Sequence, residues 1–497
     1  MRKSTALYEQ AGAARLLGLF GLCVYRFWIT PLASSFRVDE AVTAFVVRFG
    51  AGHAFLRVAP QVPQSIYYAL PSLMDRWFGF SEVWHRVPSI LAAAGAALVM
   101  AWIARRLIHP QAGWFAALGC FAMSGINAEA VDARPYALGM LVAALCVVFL
   151  IRWLDEARVA DAALFILFAA LLWRTHLVYW PFYSVLPLYA GTRLLKKETP
   201  ARWRDVAFVF AVLGLALIPV ALRALELMRG AAAHVIVPPP TLRNLVYALK
   251  FGFVVACLPV VWLLCRACKW PRTILPASSA MLLLGWWLIH PVTLFIYSRL
   301  SGNSVFVSRY LSLLLPGAVL GTTFLVSRYV PGRHWKSVTL ALGLGLLLFQ
   351  ADWKGACPLI HQSDWRGAAA SLSELGDSRI PVICPSPFIE AKPPVWNPGY
   401  VRPGFLYAHL SVYPVPGRTL LFPFEPGPEA ERYASELIAG PIGPAQRFAI
   451  YGSTKSARDW RHWFAARLPG WTARSLGPFG DVDVVLFERP DAIIARM

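Results

Sequence analysis

Asp39 and Glu40 stand side by side just after the first long apolar run, residues 13–32, in a chain with only 27 Asp and Glu among 497 residues. A carboxylate placed there can take a proton from an acceptor hydroxyl. Further polar groups follow later apolar runs: Asp132 and Arg134 after the third, Arg174 and His176 at the end of the fifth, Arg299 and Arg309 around the loop before the tenth. Arginines bind and neutralise phosphate through paired N–H donors. Acids and arginines on one membrane face would suit transfer of a group carried on a lipid phosphate. Taken singly, each has a plainer reading: the acids as solvated loop residues, the arginines as interfacial anchors. An Asp or Arg at mid-membrane costs about 2.5–3.5 kcal/mol on insertion scales, so helix ends are the cheaper place for either.

The elements that must position these groups are membrane helices. The chain is 58% hydrophobic and 15% charged, with mean hydropathy +0.54. Soluble domains carry about 25% charged residues. Runs of about 20 apolar residues, each roughly 30 Å long as a helix, match a bilayer core. A polytopic α-helical membrane protein is predicted, with about eleven spans: 13–32, 86–107, 112–130, 136–154, 161–176, 179–195, 205–224, 245–268, 274–297, 309–327 and 336–351. The weaker alternation of barrel strands is not the pattern.

The net charge is +20. Its basic residues cluster in short loops between apolar runs, and no nucleic-acid motif accompanies them, so no nucleic-acid partner is expected. Arg105-Arg106, the group Arg193, Lys196, Lys197, Arg202 and Arg204, the group Arg266, Lys269 and Arg272, and the group Arg328, Arg333 and Lys336 alternate with less basic loops. Positive loops face the cytoplasm. That predicts a cytoplasmic N-terminus, an external Asp39-Glu40 loop and an external C-terminus.

The first external loop, 33–85, carries two stretches suited to the membrane surface: 38–50, apolar on one helical face, and 64–79, with Tyr67, Tyr68, Trp77 and Phe78. From residue 352 the composition turns polar and Pro-rich. The expected organisation is therefore a membrane domain over 1–351 and a small external α/β domain over 352–497. Within the latter, helices are expected at 363–375 (Ser363 as cap, Gly376 as stop), 428–438 and 456–468, and strands at 380–384, 447–451 and 482–487. Residues 392–428, rich in Pro and Gly, read as an irregular loop. Of the eight cysteines, Cys265 and Cys268 form a lone CxxC, too little for a metal or redox site. Cys357 and Cys384 would be free to pair if their domain is external, which spacing does not decide.

An ordered set of motifs adds a resemblance. Phe36-Arg37-Val38-Asp39-Glu40-Ala41, Ser65-Ile66-Tyr67-Tyr68-Ala69-Leu70, Arg86-Val87-Pro88-Ser89, Asp132-Ala133-Arg134-Pro135-Tyr136-Ala137-Leu138, Thr175-His176, Arg309-Tyr310-Leu311 and Asp364-Trp365-Arg366 occur in this order. No one of them is specific; their shared order is. The chain resembles the bacterial relatives of the protein O-mannosyltransferases and of the lipid A aminoarabinose transferases, membrane glycosyltransferases of the GT-C class. It departs from them where Val62-Pro63-Gln64 replaces a His-Pro-Pro, and where Asp132 stands in place of Glu.

The resemblance implies a GT-C fold and transfer of a sugar, with inversion, from a polyprenyl-phosphate donor to an acceptor hydroxyl on the periplasmic side of a bacterial inner membrane. It makes Asp39 the general base. Glu40 would orient the site, by pairing with Arg134, or cap its own helix. Arg134 and Arg309 would hold the donor phosphate, with Asp132 beside them. His176 is a substrate contact or a helix-end histidine. Tyr68, Tyr136 and Tyr310 are substrate contacts or interfacial aromatics. Trp365 and Arg366 would fix the external domain onto the membrane part. The expected partners are the polyprenyl-phosphate sugar, membrane lipids, and a glycolipid, polysaccharide or protein acceptor. No cofactor is expected with certainty: a divalent cation stays open, and no cluster has metal-ligand spacing. The rival reading is a transporter or flippase of lipid-linked saccharides. Repeated halves with binding groups near mid-membrane would mark it, and the sequence shows neither.

Overall fold

The computed structural model describes residues 2–50, 65–230, 238–270, 275–350, 363–377, 379–388, 391, 396–399 and 405–490, without the side chains of 2–10, 228–230 and 405. The chain divides into two compact units. The first comprises residues 1–32, 64–70 and 86–358; the second comprises 33–63, 71–85 and 359–497. Asp39 and Glu40 therefore belong with the C-terminal region, although the expected organisation assigned the whole first loop to the membrane domain.

Among the described residues, five helices lying mostly in the first unit are long and apolar enough to cross a membrane: Ala11–Ala33, Glu82–Leu107, Tyr136–Glu156, Trp203–Leu227 and Ala277–Leu300. A sixth forms if Leu242–Ala248 and Phe251–Cys265, bent by 48° at their junction, count as one span. The bend falls at Lys250, whose φ of +55° is left-handed and ends the first helix. The other expected spans are helical but short or broken. The 112–130 run splits into Ala112–Ala122 and Ser124–Ala130, and 309–327 into a 3-10 turn and Leu314–Val326. Apolar composition alone does not register such breaks. Inside a membrane protein such breaks persist only where protein or a cavity supplies the missing partners.

The bundle is tightly set. A Cβ on Gly317 would lie 2.6 Å from the Trp287 backbone nitrogen, so the Leu314–Val326 and Ala277–Leu300 helices meet backbone to backbone. At one end of the unit Asp155 receives Arg106 at 2.8 Å and Arg193 at 2.6 Å. The two basic loops thus share an end. Tyr136, at the start of the same helix as Asp155, lies about 30 Å from it by helix rise. The charged loops and the Asp132–Tyr136 turn are at opposite ends of that helix.

The second unit holds a five-stranded sheet in the order β2-β1-β3-β5-β4. Its strands are β1 (Pro381–Pro385), β2 (Arg418–Phe422), β3 (Arg447–Ser453), β4 (Thr472–Ser475) and β5 (Val482–Glu488). β1 pairs parallel with β2 and β3, while β5 runs antiparallel to β3 and β4. β1 is buried at every residue, as a central strand covered on both faces should be. Cys384 lies in it as a buried thiol; Cys357, whose pairing with it the sequence left open, is outside the described residues. The Thr454–Arg467 helix packs Trp460 and Phe464 onto the sheet, where the Phe448 and Phe487 rings stack at 4.6 Å.

The expected α/β character is present, with three corrections. The helix near 363 runs Trp365–Ser373 and is capped by Asp364, which accepts from the Gly367 amide at 3.0 Å, rather than by Ser363. Residues 392–428 are not all irregular: they contain Ala408–Val412 as a helix and β2 as a strand. The Val38–Phe49 helix does not simply offer one face to a membrane surface. Residues 40–46 are all buried, and the Ala408–Val412 helix packs against it.

Candidate functional site

Seven of the nine predicted site residues lie in the first unit, and each sits where a helix starts or breaks. The Ser124–Ala130 helix ends at Val131; the chain then turns tightly, with the Arg134 amide donating to the Asp132 carbonyl at 2.7 Å, before Tyr136 opens the next helix. His176 breaks the chain between Val159–Thr175 and the 3-10 segment Leu177–Ser184, with φ −156° and ψ 128°. Arg309 and Tyr310 occupy the 3-10 turn Ser308–Leu311.

These breaks converge. The His176 ring centroid lies 5.0 Å from Tyr310, 5.2 Å from Tyr179 and 5.5 Å from Tyr136. Arg134 and Arg309 are near enough for their charges to act on its ring. Arg134 Nη1 donates to the Tyr68 hydroxyl at 3.2 Å. Arg309 lies over the Tyr310 ring with its guanidinium carbon 5.7 Å from the centroid. Arg134 is 9% exposed and Asp132 2%, while Arg309, Tyr310 and His176 are half-buried. His176 Nδ1 accepts the Val178 amide at 3.3 Å, so the neutral ring carries its proton on Nε2 and is a donor there.

A supporting layer holds the turn. Tyr67 and Ser89 share a hydrogen bond at 2.9 Å, Ser89 Oγ donates to the Arg134 carbonyl at 3.3 Å, and Ser65 Oγ donates to the Thr175 carbonyl at 2.7 Å. Tyr67 and Tyr68 are therefore buried parts of this unit, not surface aromatics; Trp77 and Phe78 of the same stretch are 63% and 52% exposed. Tyr179 is fixed by Ser312 at 2.9 Å, and its ring fits only because residue 139 is glycine: a Cβ there would fall 2.4 Å from Cε2 of Tyr179.

Sequence reasoning passed over Glu129, Arg26 and Tyr179. Glu129 is 9% exposed and near enough to Tyr179 for its charge to act on that hydroxyl. Arg26 is 4% exposed within a π-helical turn, Tyr25–Ile29, of the first span. From the same turn Trp28 Nε1 donates to Asn127 Oδ1 at 2.9 Å, tying the span to the helix that carries Glu129. The available signal was a charged residue inside an apolar run. Arg86 was seen only as part of a motif; it is fully buried and donates to the Leu32 carbonyl at 2.7 Å.

Asp39 and Glu40 lie in the second unit. Asp39 is half-buried in the first turn of the Val38–Phe49 helix, where the helix dipole favours a carboxylate anion. Glu40, 1% exposed, turns back to accept the Arg37 amide at 2.9 Å. That is the capping alternative of its two readings. Among the described residues no three His, Cys, Asp or Glu side chains gather as metal ligands.

No protein-family profile matches the chain, nor does any curated protein sequence. Solved structures do. ArnT from Cupriavidus metallidurans in the apo state superposes with a TM-score of 0.55 at 14% identity, covering 96% of this chain and 98% of that one. ArnT from Cupriavidus metallidurans bound to undecaprenyl phosphate gives 0.52 at 12% identity, covering 95% and 97%. The likeness runs through the membrane helices and the C-terminal region alike, and the shared fold is the one implied by the resemblance to the GT-C class.

Proposed function

We propose that the protein is a membrane glycosyltransferase that moves a sugar from a polyprenyl-phosphate carrier to an acceptor hydroxyl. The observation that carries this reading is the gathering of Arg134, Arg309, His176 and Tyr68 at one end of the helix bundle. The end-to-end likeness to a protein solved with undecaprenyl phosphate supports it. A polyprenyl phosphate would lay its chain along the apolar helices and present its phosphate at that end. Arg134 and Arg309 would neutralise it, and His176 Nε2–H would add a hydrogen bond without adding charge.

Asp39 would act as the base. Its carboxylate takes the acceptor's hydroxyl proton as the oxygen attacks the anomeric carbon from the face opposite the phosphate. The bond from that carbon to the phosphate oxygen breaks, and polyprenyl phosphate leaves with the electron pair, its charge stabilised by the two arginines. Attack from the opposite face inverts the anomeric centre. In this reading the reaction faces the periplasm, the C-terminal region is periplasmic and the membrane is the inner membrane of a bacterium. In this reading the C-terminal domain begins near residue 352.

Mass spectrometry of envelope glycolipids and glycans tests the proposal in cells. Cells with the active protein should carry a sugar that cells with Asp39→Asn lack, which would identify donor and acceptor together. Identical glycan profiles from the two would count against a transferase.

A further inference from the structure

Asp39 takes its position from residues far away in sequence, all within the second unit. The segment 33–37 leads directly into its helix. Arg366 donates to the Ala33 carbonyl through Nη2, and Ser35 Oγ donates to the Ser363 carbonyl at 3.0 Å. The Phe36 amide donates to the Tyr413 hydroxyl at 2.6 Å. That hydroxyl in turn donates to Glu82 Oε1, while Glu82 Oε2 accepts Arg366 Nη1 at 2.8 Å. The far end of the helix is held as well, by Arg48 Nη1 on the Ser411 carbonyl at 3.1 Å. Phe36 is fully buried, its ring edge-on to Phe80 and His85.

We propose that Tyr413, Glu82 and Arg366 form a positioning set for Asp39, so that the C-terminal region serves the reaction by fixing the base. The inference rests on the reading of Asp39 as the general base. The Glu82 carboxylate is the hub, with one oxygen for Tyr413 and the other for Arg366, and through them it fixes the backbone at 33 and 36. Asp39 follows three residues after Phe36, and the Glu40 cap sets where its helix begins. A general base displaced by about 1 Å can lose on the order of a hundredfold in rate. Tyr413 suits the role because burial and the neighbouring Glu82 charge push its pKa up, which keeps the phenol protonated and donating. Removing its hydroxyl leaves a buried amide and a carboxylate oxygen each short of a partner.

The test is Tyr413→Phe in the full-length protein, read in two ways. Hydrogen exchange should show protection lost over 33–40 and retained in β1 and β3, a pattern that does not depend on any activity. Steady-state kinetics should show kcat at least tenfold lower with the donor KM unchanged, and no further loss when the substitution is made in an Asp39→Asn background. Arg366→Lys, which keeps one charged donor for Glu82, should recover part of the rate lost in Arg366→Ala. Unchanged exchange over 33–40 would overturn the proposal, as would a loss of rate that multiplies with that of Asp39→Asn. If Asp39→Asn itself transfers sugar at full rate, the base assignment fails instead, and the exchange result still stands on its own.

Discussion

The two ends of the proposed chemistry are built on different principles. In the membrane unit, Asp132, Arg134, His176, Arg309 and Tyr310 lie where helices break, and the side chains of Ser65, Ser89 and His290 reach the carbonyls of Thr175, Arg134 and Tyr310 there. In the second unit, Asp39 lies at the start of an intact helix, capped by Glu40 and anchored by side chains more than three hundred residues away. Groups that bind a phosphate tolerate some adjustment, because charge acts over distance. A base must meet one proton at hydrogen-bond length. The rigid mounting falls on the group that needs it.

Substitutions can separate the two designs. The largest effect belongs to Asp39→Asn, which should lower kcat by about a hundredfold to ten-thousandfold, the range of general-base catalysis, with little change in donor KM. Arg134→Ala should fall next, losing about a hundredfold or more in kcat/KM and weakening binding of free polyprenyl phosphate; Arg134→Lys should recover only part, since it keeps charge without the planar fork. Equal donor affinity in Arg134→Ala and wild type would remove the phosphate role. In the aromatic layer, Gly139→Ala should push Tyr179 off Ser312 and destabilise the membrane unit by about 1–3 kcal/mol, visible as a lower unfolding temperature in detergent.

Acid should act on the second unit. His409 is fully buried between Trp365 and Tyr451 with neither ring nitrogen hydrogen-bonded among the described residues, and burial holds its pKa down to about 3, against an ordinary 6.5. The unfolded chain therefore takes up a proton that the folded unit refuses. The stability this group contributes is complete above pH 6.5 and is lost as pH falls from there toward 3, by up to about 1.4 kcal/mol per pH unit. Chemical denaturation at pH 7 and pH 5 should show the difference, and His409→Phe should flatten it. The smallest effect sharpens the role of Glu40. Glu40→Gln keeps an oxygen for the Arg37 amide and should stay near wild type, whereas Glu40→Ala should cost about 1 kcal/mol of stability. A large loss of rate in Glu40→Gln with stability intact would give Glu40 a chemical role in place of capping.

What the sequence made legible follows from which physics leaves a local trace. The apolar runs foretold which stretches of the membrane unit are helical but not where those helices break or bend, and short apolar runs foretold β1, β3 and β5. β2 and the Ala408–Val412 helix escaped because Pro and Gly surround them and their order comes from tertiary contacts: Tyr407 donates to the Phe422 carbonyl in β2, and the Ala408–Val412 helix lies on the Val38–Phe49 helix. The His176 cluster was legible as separate motifs, since each brought a polar residue to the end of an apolar run. Its tyrosine setting was not, because Tyr179 reads as one more apolar-segment aromatic until Gly139 opens space for it. Nor did anything near Asp39 point to Tyr413; a hydrogen bond spanning 377 residues has no local signature.

The most direct test of the glycosyltransferase reading is product formation by the purified protein reconstituted in vesicles with a radiolabelled polyprenyl-phosphate sugar and an envelope extract as acceptor. The account predicts free polyprenyl phosphate and label on the acceptor from wild type, and neither from Asp39→Asn. Label crossing the bilayer while still attached to its carrier, with no polyprenyl phosphate released, would contradict it and make the protein a carrier of lipid-linked sugar instead.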